Sequence, residues 1–307
     1  MPRRAWAELL ALSALWGSSY LFISIALRDV GPAFLAFVRV AGAALVLLPL
    51  TWRLRSALSG RWRYLPLVGF LQVALPFVLI SAGERHIDSG LAGTLVATAP
   101  LWLVVLGPAM ALGRPSVPAL VGTLVGLVGV ALLLGGIGTG TSVDLGGAGM
   151  VVAAAMSYAV ALSLVRRFMQ GVHATALTGA TMATAALLLV PPAALDLPAR
   201  APGWTAGGAL LALAVACTAG AFVLYNRLIA EVGPQRASLV AYLAPVFAIG
   251  YGAALLDEPL GIGTFAGLAL ILAGSWACSR PTRTTPRITP GGGEHEGRVR
   301  ASKLKAG

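Results

Sequence analysis

The stretch LAGTLVATAPLWLVVLGPAMALGRPSVPALVGTLVGLVGVALLL (residues 91–134) decides how this chain is built, because RASLVAYLAPVFAIGYGAALLDEPLGIGTFAGLALILAGSWAC (residues 236–278) repeats its layout 145 residues later. At that offset Ala99-Pro100 falls on Ala244-Pro245, Gly107 on Gly252, Gly122 on Gly267 and Gly129 on Gly274. Ala, Leu and Gly coincide often in so apolar a chain. The weight therefore rests on one proline and three glycines in a single ungapped register. A repeat at this spacing means two similar halves, each closing with a proline-interrupted apolar helix and then a glycine-spaced one.

The rest of the sequence states what kind of helices these are. Of 307 residues, 58% are hydrophobic and only 11% charged, too apolar a balance to hide in one water-soluble core. Charge-free windows run over residues 9–27, 64–83, 89–113, 115–143, 145–165, 174–195, 201–226, 237–256 and 259–279. Each can cross a hydrocarbon layer about 30 Å thick as a helix rising about 1.5 Å per residue. A tenth apolar run, 33–52, carries one charge, Arg39. The runs are continuous and not alternating, so helices, not a barrel, satisfy the backbone inside the lipid. The first run has the length of a span and is not followed by a small-residue cleavage pattern, so it is expected to be retained.

The loops assign orientation. With the N-terminus inside, Arg3, Arg4, Arg53, Arg55, Arg61, Arg63, Arg114, Arg166, Arg167, Arg227, Arg236 and the tail cations from Arg280 to Lys305 all fall on the inner side. Only Arg28, Arg85 and Arg200 fall outside. That asymmetry obeys the positive-inside rule only with an even number of spans, which places both termini in the cytoplasm. The net charge of +11 thus faces the anionic inner leaflet of the lipid bilayer, and nucleic acid is not expected as a partner. The segment 280–307, rich in Pro, Thr and Gly, has too little apolar content to pack and is expected to be a disordered basic tail.

Five spans per half turn the second half upside down relative to the first. The expected architecture is all-α and integral to the membrane: ten helices in two inverted five-helix repeats, residues 6–137 and 145–279. An inverted repeat can expose a midplane site to either side in turn as one half rocks on the other.

At Ala14-Leu15-Trp16-Gly17-Ser18-Ser19-Tyr20, at Val38-Arg39-Val40 behind the entry Gly-Pro-Ala-Phe-Leu-Ala-Phe, and above all at Ala244-Pro245-Val246-Phe247 followed by Leu256-Asp257-Glu258-Pro259-Leu260, the chain resembles the EamA-type members of the drug/metabolite transporter superfamily. The resemblance covers about residues 6–278. It implies a secondary transporter in the bacterial inner membrane that exports small organic metabolites, amino acids or related compounds or xenobiotics, by alternating access. It also implies a central cavity lined by the first four helices of each half, with the fifth to the side. One departure stands out: where the second half has Leu256-Asp257-Glu258-Pro259, the first has Leu112-Gly113-Arg114-Pro115, with arginine in place of the usual acid.

Within the spans, Arg39 is the one charge well inside, and burying a lone guanidinium is costly enough that it must face a partner or water. Two readings compete: it binds a substrate carboxylate or phosphate, or it pins helix C-terminal carbonyls near the outer mouth. The aromatic and hydroxyl residues Trp16, Ser19, Thr98, Trp102, Tyr158 and Tyr242 are the other substrate-binding candidates, with polar tips on apolar bodies suited to orienting a small-molecule substrate. Singly, such residues also serve as helix–helix glue or sit in the headgroup belt. Thr94, Thr98 and Trp102 share one helical face, and Tyr20 lies beside Ser19. Pro100 and Pro245 each remove a helix hydrogen bond and are expected to bend their helices. Gly122-x-x-x-Gly126 and Gly263-x-x-x-Gly267 favour close helix approach, between the halves or between two copies in a homodimer.

Among the acids, Glu84 lies nearest a transport path and competes with a solvated loop reading; Glu8, Asp88, Asp257 and Glu258 lie near span ends. Catalysis finds little support. Both lysines lie in the tail without a P-loop pattern, and His86, His173 and His295 form no His-Glu-x-x-His pair. Cys217 and Cys278 lack metal spacing and are expected to stay free. No metal or cofactor is expected. A membrane enzyme, a passive pore and a non-transporting scaffold are the alternatives.

Overall fold

The computed structural model describes residues 1–110, 115–135 and 143–279. The turn bearing Arg114 and the basic segment 280–307 lie outside the described residues. Among the described residues the chain is helical, with nine helices long and apolar enough to cross a membrane and a shorter tenth. In order these are α1 (Arg3–Ala26), α2 (Pro32–Arg53), α3 (Trp62–Gly83), α4 (Ser89–Leu106), α5 (Val117–Leu134), α6 (Leu145–Phe168), α7 (Ala174–Ala194), α8 (Trp204–Val232), α9 (Val240–Leu255) and α10 (Ile262–Ser279). Large apolar side chains such as Leu45, Leu124 and Leu187 point outward from the bundle, as a lipid-facing belt requires.

The two prolines of the repeat act differently. In α4 the helix breaks at Ala97-Thr98 and restarts as Ala99–Leu106 with Pro100 in its first turn, where a missing N–H costs nothing. In α9 the helix runs unbroken from Val240 to Leu255 through Pro245, so the second expected interruption does not occur there. The chain instead turns at Ser238-Leu239, just before α9.

A different irregularity repeats. Residues Phe70–Ala74 of α3 and Val215–Gly220 of α8 are π-helical, and they begin 145 residues apart, the offset of the sequence repeat. Pro76 explains the first, having no N–H to offer the Gln72 carbonyl. Ala221 stands at the matching position of α8, so local sequence does not explain the second. Wide turns of this kind are frequent at functional sites.

Small residues set the contacts between corresponding helices of the two halves. On α5, a methyl group at Gly122 would lie 2.7 Å from the Gly274 carbonyl of α10, and one at Gly129 would lie 2.8 Å from that of Gly267. As the number rises on one helix it falls on the other, so α5 and α10 run antiparallel. The same order holds for α4 and α9, where Gly90 meets Ile249 and Gly93 meets Ala248. The glycine spacing is therefore spent inside one chain. Consecutive spans leave the α1–α2, α3–α4, α7–α8 and α9–α10 turns on one face, here the distal face, opposite the end that carries Met1.

Candidate functional site

Two apolar clusters, one of α2, α3, α7 and α8 and one of α1, α2, α3, α6 and α8, meet around the partly buried ring of Tyr158 on α6. The interior polar groups lie at this junction. Arg39 of α2 is only 8% exposed. Its Nε donates to Thr218 Oγ1 at 2.8 Å, and its guanidinium carbon sits 4.2 Å above the Phe77 ring of α3. Thr218 belongs to the π-helical turn of α8, which is how that turn meets the arginine. The matching turn of α3 is met from α6, where Ser157 Oγ donates to the Leu71 carbonyl at 2.7 Å. Each widened turn is thus engaged by a side chain from another helix.

Glu84 follows α3 and is 7% exposed, so it is not a solvated loop residue. Ser24 Oγ of α1 donates to its Oε2 at 3.2 Å, while Oε1 is buried without a partner. Burial holds this carboxyl well above the ordinary carboxylate range, opposed by the Ser24 bond. Tyr20, Tyr158, Cys217 and Glu84 are the ionisable groups close enough to act on Arg39 electrostatically. No carboxylate comes within 4.0 Å of the guanidinium among the described residues. The buried Oε1 of Gln72, on the π-helical turn of α3, also lacks a partner. The result is a buried cation and a buried acid, held apart, with spare hydrogen-bonding capacity and aromatic neighbours.

The structure brings together Arg39 and Tyr158 of the sequence candidates, with Tyr20 beside them. Trp16 stacks edge-on with Phe222 and tilted against Tyr225, at ring distances of 5.7 and 5.1 Å, on the α1–α8 contact. Ser19 is buried, and its hydroxyl returns to the Leu15 carbonyl at 3.4 Å. Trp102 Nε1 donates to Thr98 Oγ1 at 3.1 Å across the α4 break. Beside that break Ser275 of α10 donates to the Ala97 carbonyl at 2.9 Å. Tyr242 lies apart, donating to Ser279 Oγ at 2.9 Å and reaching the Ser275 carbonyl at 3.3 Å, which ties α9 to the end of α10. Of the two readings of Arg39, the pin finds a hydroxyl where carbonyls were expected.

Thr218, Phe77, Ser24 and Gln72 escaped the sequence reading. Gln72 had a signal, a carboxamide within an apolar run four residues before a proline. Thr218 had none.

A sequence model of the EamA-like transporter family matches residues 5–135 and again residues 145–280, once on each half. The chain belongs to the EamA-like transporter family. An uncharacterized transporter of Archaeoglobus fulgidus is 23% identical over 283 residues, covering 90% of this chain and 99% of that one. The uncharacterized inner membrane transporter YedA of Escherichia coli is 27% identical over 280 residues, 87% of this chain and 88% of its own. The uncharacterized transporter YoaV of Bacillus subtilis is 22% identical and covers 87% and 93% of the two chains. A solved crystal structure superposes with a TM-score of 0.64 at 20% identity over 90% of this chain and 96% of its own, a likeness of fold. This EamA-like chain is accordingly a multi-pass membrane transporter.

Proposed function

We propose that the chain exports small zwitterionic metabolites, amino acids or close relatives, across the bacterial inner membrane by alternating access, without catalysis. The observation that carries this reading is the pairing of a buried, carboxylate-free Arg39 with a buried Glu84 whose Oε1 has no partner. A substrate carboxylate would satisfy Arg39 through its planar fork, and an ammonium group would satisfy Glu84. The charge of Arg39 is costly in a dry interior without an anion, and Glu84, which burial keeps protonated, would ionise only beside a cation, so the two together favour a ligand that carries both charges. Tyr20 and Tyr158 would close over its apolar part.

The antiparallel α4/α9 and α5/α10 pairs and the π-helical turns one repeat apart support two inverted halves, 6–137 and 145–279, moving against each other. The cationic loops support both termini in the cytoplasm and hence a distal face that looks outward. Resemblance supports export over import.

The test is counterflow in proteoliposomes. Saturable exchange of a labelled amino acid is expected, and Arg39→Ala is expected to lower it at least tenfold. Flux without saturation would make the protein a pore, and no flux for any metabolite that accumulates in cells lacking it would leave a scaffold. Normal exchange by Arg39→Ala would remove Arg39 from the site.

A further inference from the structure

Helices that start at the distal face leave their first amides unpaired within the helix, and the positive end of each helix dipole points outward there. Three of these starts are capped by carboxylates belonging to the opposite half. Asp196, after α7, accepts from the Ala33 and Phe34 amides of α2 at 2.8 and 3.3 Å. Glu258, after α9, accepts from the Ser89 and Gly90 amides of α4 at 2.7 and 3.0 Å, one on each oxygen. Asp29, after α1, accepts from the Gly203 amide at the start of α8 at 2.7 Å. Two of the contacts therefore run from the second half to the first, and one runs back.

The seats are shaped for these acids. A side chain at Gly31 would collide with the Asp196 carboxylate, and one at Gly252 would collide with that of Glu258. Asp257 turns the chain with φ 55°, a left-handed conformation that Asp tolerates better than most residues, and so delivers Glu258 to α4. At the other face no carboxylate–amide contact between the halves is found among the described residues, and α5 and α7 use Ser116 and His173 from their own flanks. Among the described residues, capping of helix starts by carboxylates of the opposite half thus belongs to one side of the molecule, while the other side has the Arg61 contact to the C-terminal end of α6.

We propose that Asp29, Asp196 and Glu258 are gate residues that clasp the two halves at the distal face, so that outward opening of the central site requires all three to leave their helix starts. This assignment rests on the alternating-access reading above. Separation at that face breaks five amide–carboxylate bonds together; the one to Asp29 is exposed, whereas the groups freed from the four part-buried bonds of Asp196 and Glu258 find new partners only when water enters the mouth. The closed state holds while the mouth is dry, and the gate opens in one step with its hydration. Among the described residues the inner face shows no carboxylate–amide clasp; there the halves touch through Arg61 Nε, which donates to the Phe168 carbonyl at 3.2 Å, and through the stacked rings of Tyr64 and Phe168.

The test uses the full chain in nanodiscs, with Cys217→Ala and Cys278→Ser as background and spin labels at Arg28→Cys and Arg200→Cys, two exposed distal positions in opposite halves. Pulsed electron-spin distance measurement is expected to give a short major population for this protein. Glu258→Ala and Asp196→Ala are each expected to make a longer population the major one. Glu258→Gln keeps one acceptor oxygen and turns its NH2 group toward the other amide, so it is expected to lose one of the two bonds and to lengthen the distance less than Glu258→Ala. Circular dichroism and size exclusion accompany every variant; should an alanine variant lose its helical signal, Asp29→Ala, at an exposed contact, supplies the comparison. Alanine variants that keep both the fold and the short distance overturn the clasp. Lengthening on Glu258→Ala in a protein that exchanges no metabolite leaves the clasp standing and removes the transport reading; exchange with unchanged distances does the reverse.

Discussion

Replacing Gly274 by alanine is expected to destabilise the bundle by about 1 kcal/mol, the balance of an overpacking cost and a smaller gain in helix propensity. The new methyl group would meet the Gly122 carbonyl oxygen, the Gly126 nitrogen at 2.6 Å and the Gly126 Cα at 2.8 Å. All are backbone atoms of α5, so no change of rotamer relieves the overlap. Ordinary contact begins near 3.4 Å, and α5 and α10 must part by about 0.5–1 Å. A gap of that size forfeits a quarter to a half of each packing contact along the seam, and overpacking of this kind costs about 1–3 kcal/mol. Opposing it is the higher helix propensity of alanine, worth about 0.5–1 kcal/mol. Gly250→Ala on α9 isolates that second effect, because nothing lies within 4 Å of a methyl group there; it is expected to stabilise by about 0.5–1 kcal/mol. Reversible unfolding of both variants by titration with a denaturing detergent measures the difference. Gly122→Ala combined with Gly274→Ala should cost less than the sum, since helices already parted accept a second methyl more readily. Equal stability of Gly274→Ala and Gly250→Ala would refute the reasoning.

Thr218→Val removes the acceptor of a buried guanidinium and should cost about 1.5–3 kcal/mol in detergent unfolding, with Thr218→Ser near wild type. Glu84 has its carboxyl raised by burial, so the folded state binds its proton more tightly than the unfolded chain. Its contribution is therefore complete below the ordinary carboxylate value and is lost as pH rises through the raised one. Glu84→Gln should flatten that part of the stability–pH profile, and an unchanged slope would place the titration elsewhere. Tyr242→Phe gives up contacts to α10 alone and should leave amino-acid counterflow intact while costing about 1 kcal/mol or less. Impaired exchange at full stability would return Tyr242 to the site.

Much of this protein was legible in its sequence because the bilayer is an unforgiving solvent. It forces each apolar run into a helix, so composition and the spacing of Gly and Pro suffice for ten apolar helices in two related halves. Arg39 could be singled out for the same reason: a charge in an apolar run is conspicuous whatever surrounds it. Its neighbours were not legible, since partners arrive from other helices. Thr218 is one threonine among many until the π-helical turn of α8 presents it to Arg39, and that turn has no proline to announce it. Glu84 sits at a span end and reads as solvated, yet the turn folds inward onto Ser24 and buries it. Pro245 shows the converse, a strong local signal that its helix absorbs without breaking. Which glycines face each other across α5 and α10, and which carboxylates cap helices of the other half, depends on distances between segments more than a hundred residues apart. Such distances are fixed when the helices pack, and no local pattern encodes them.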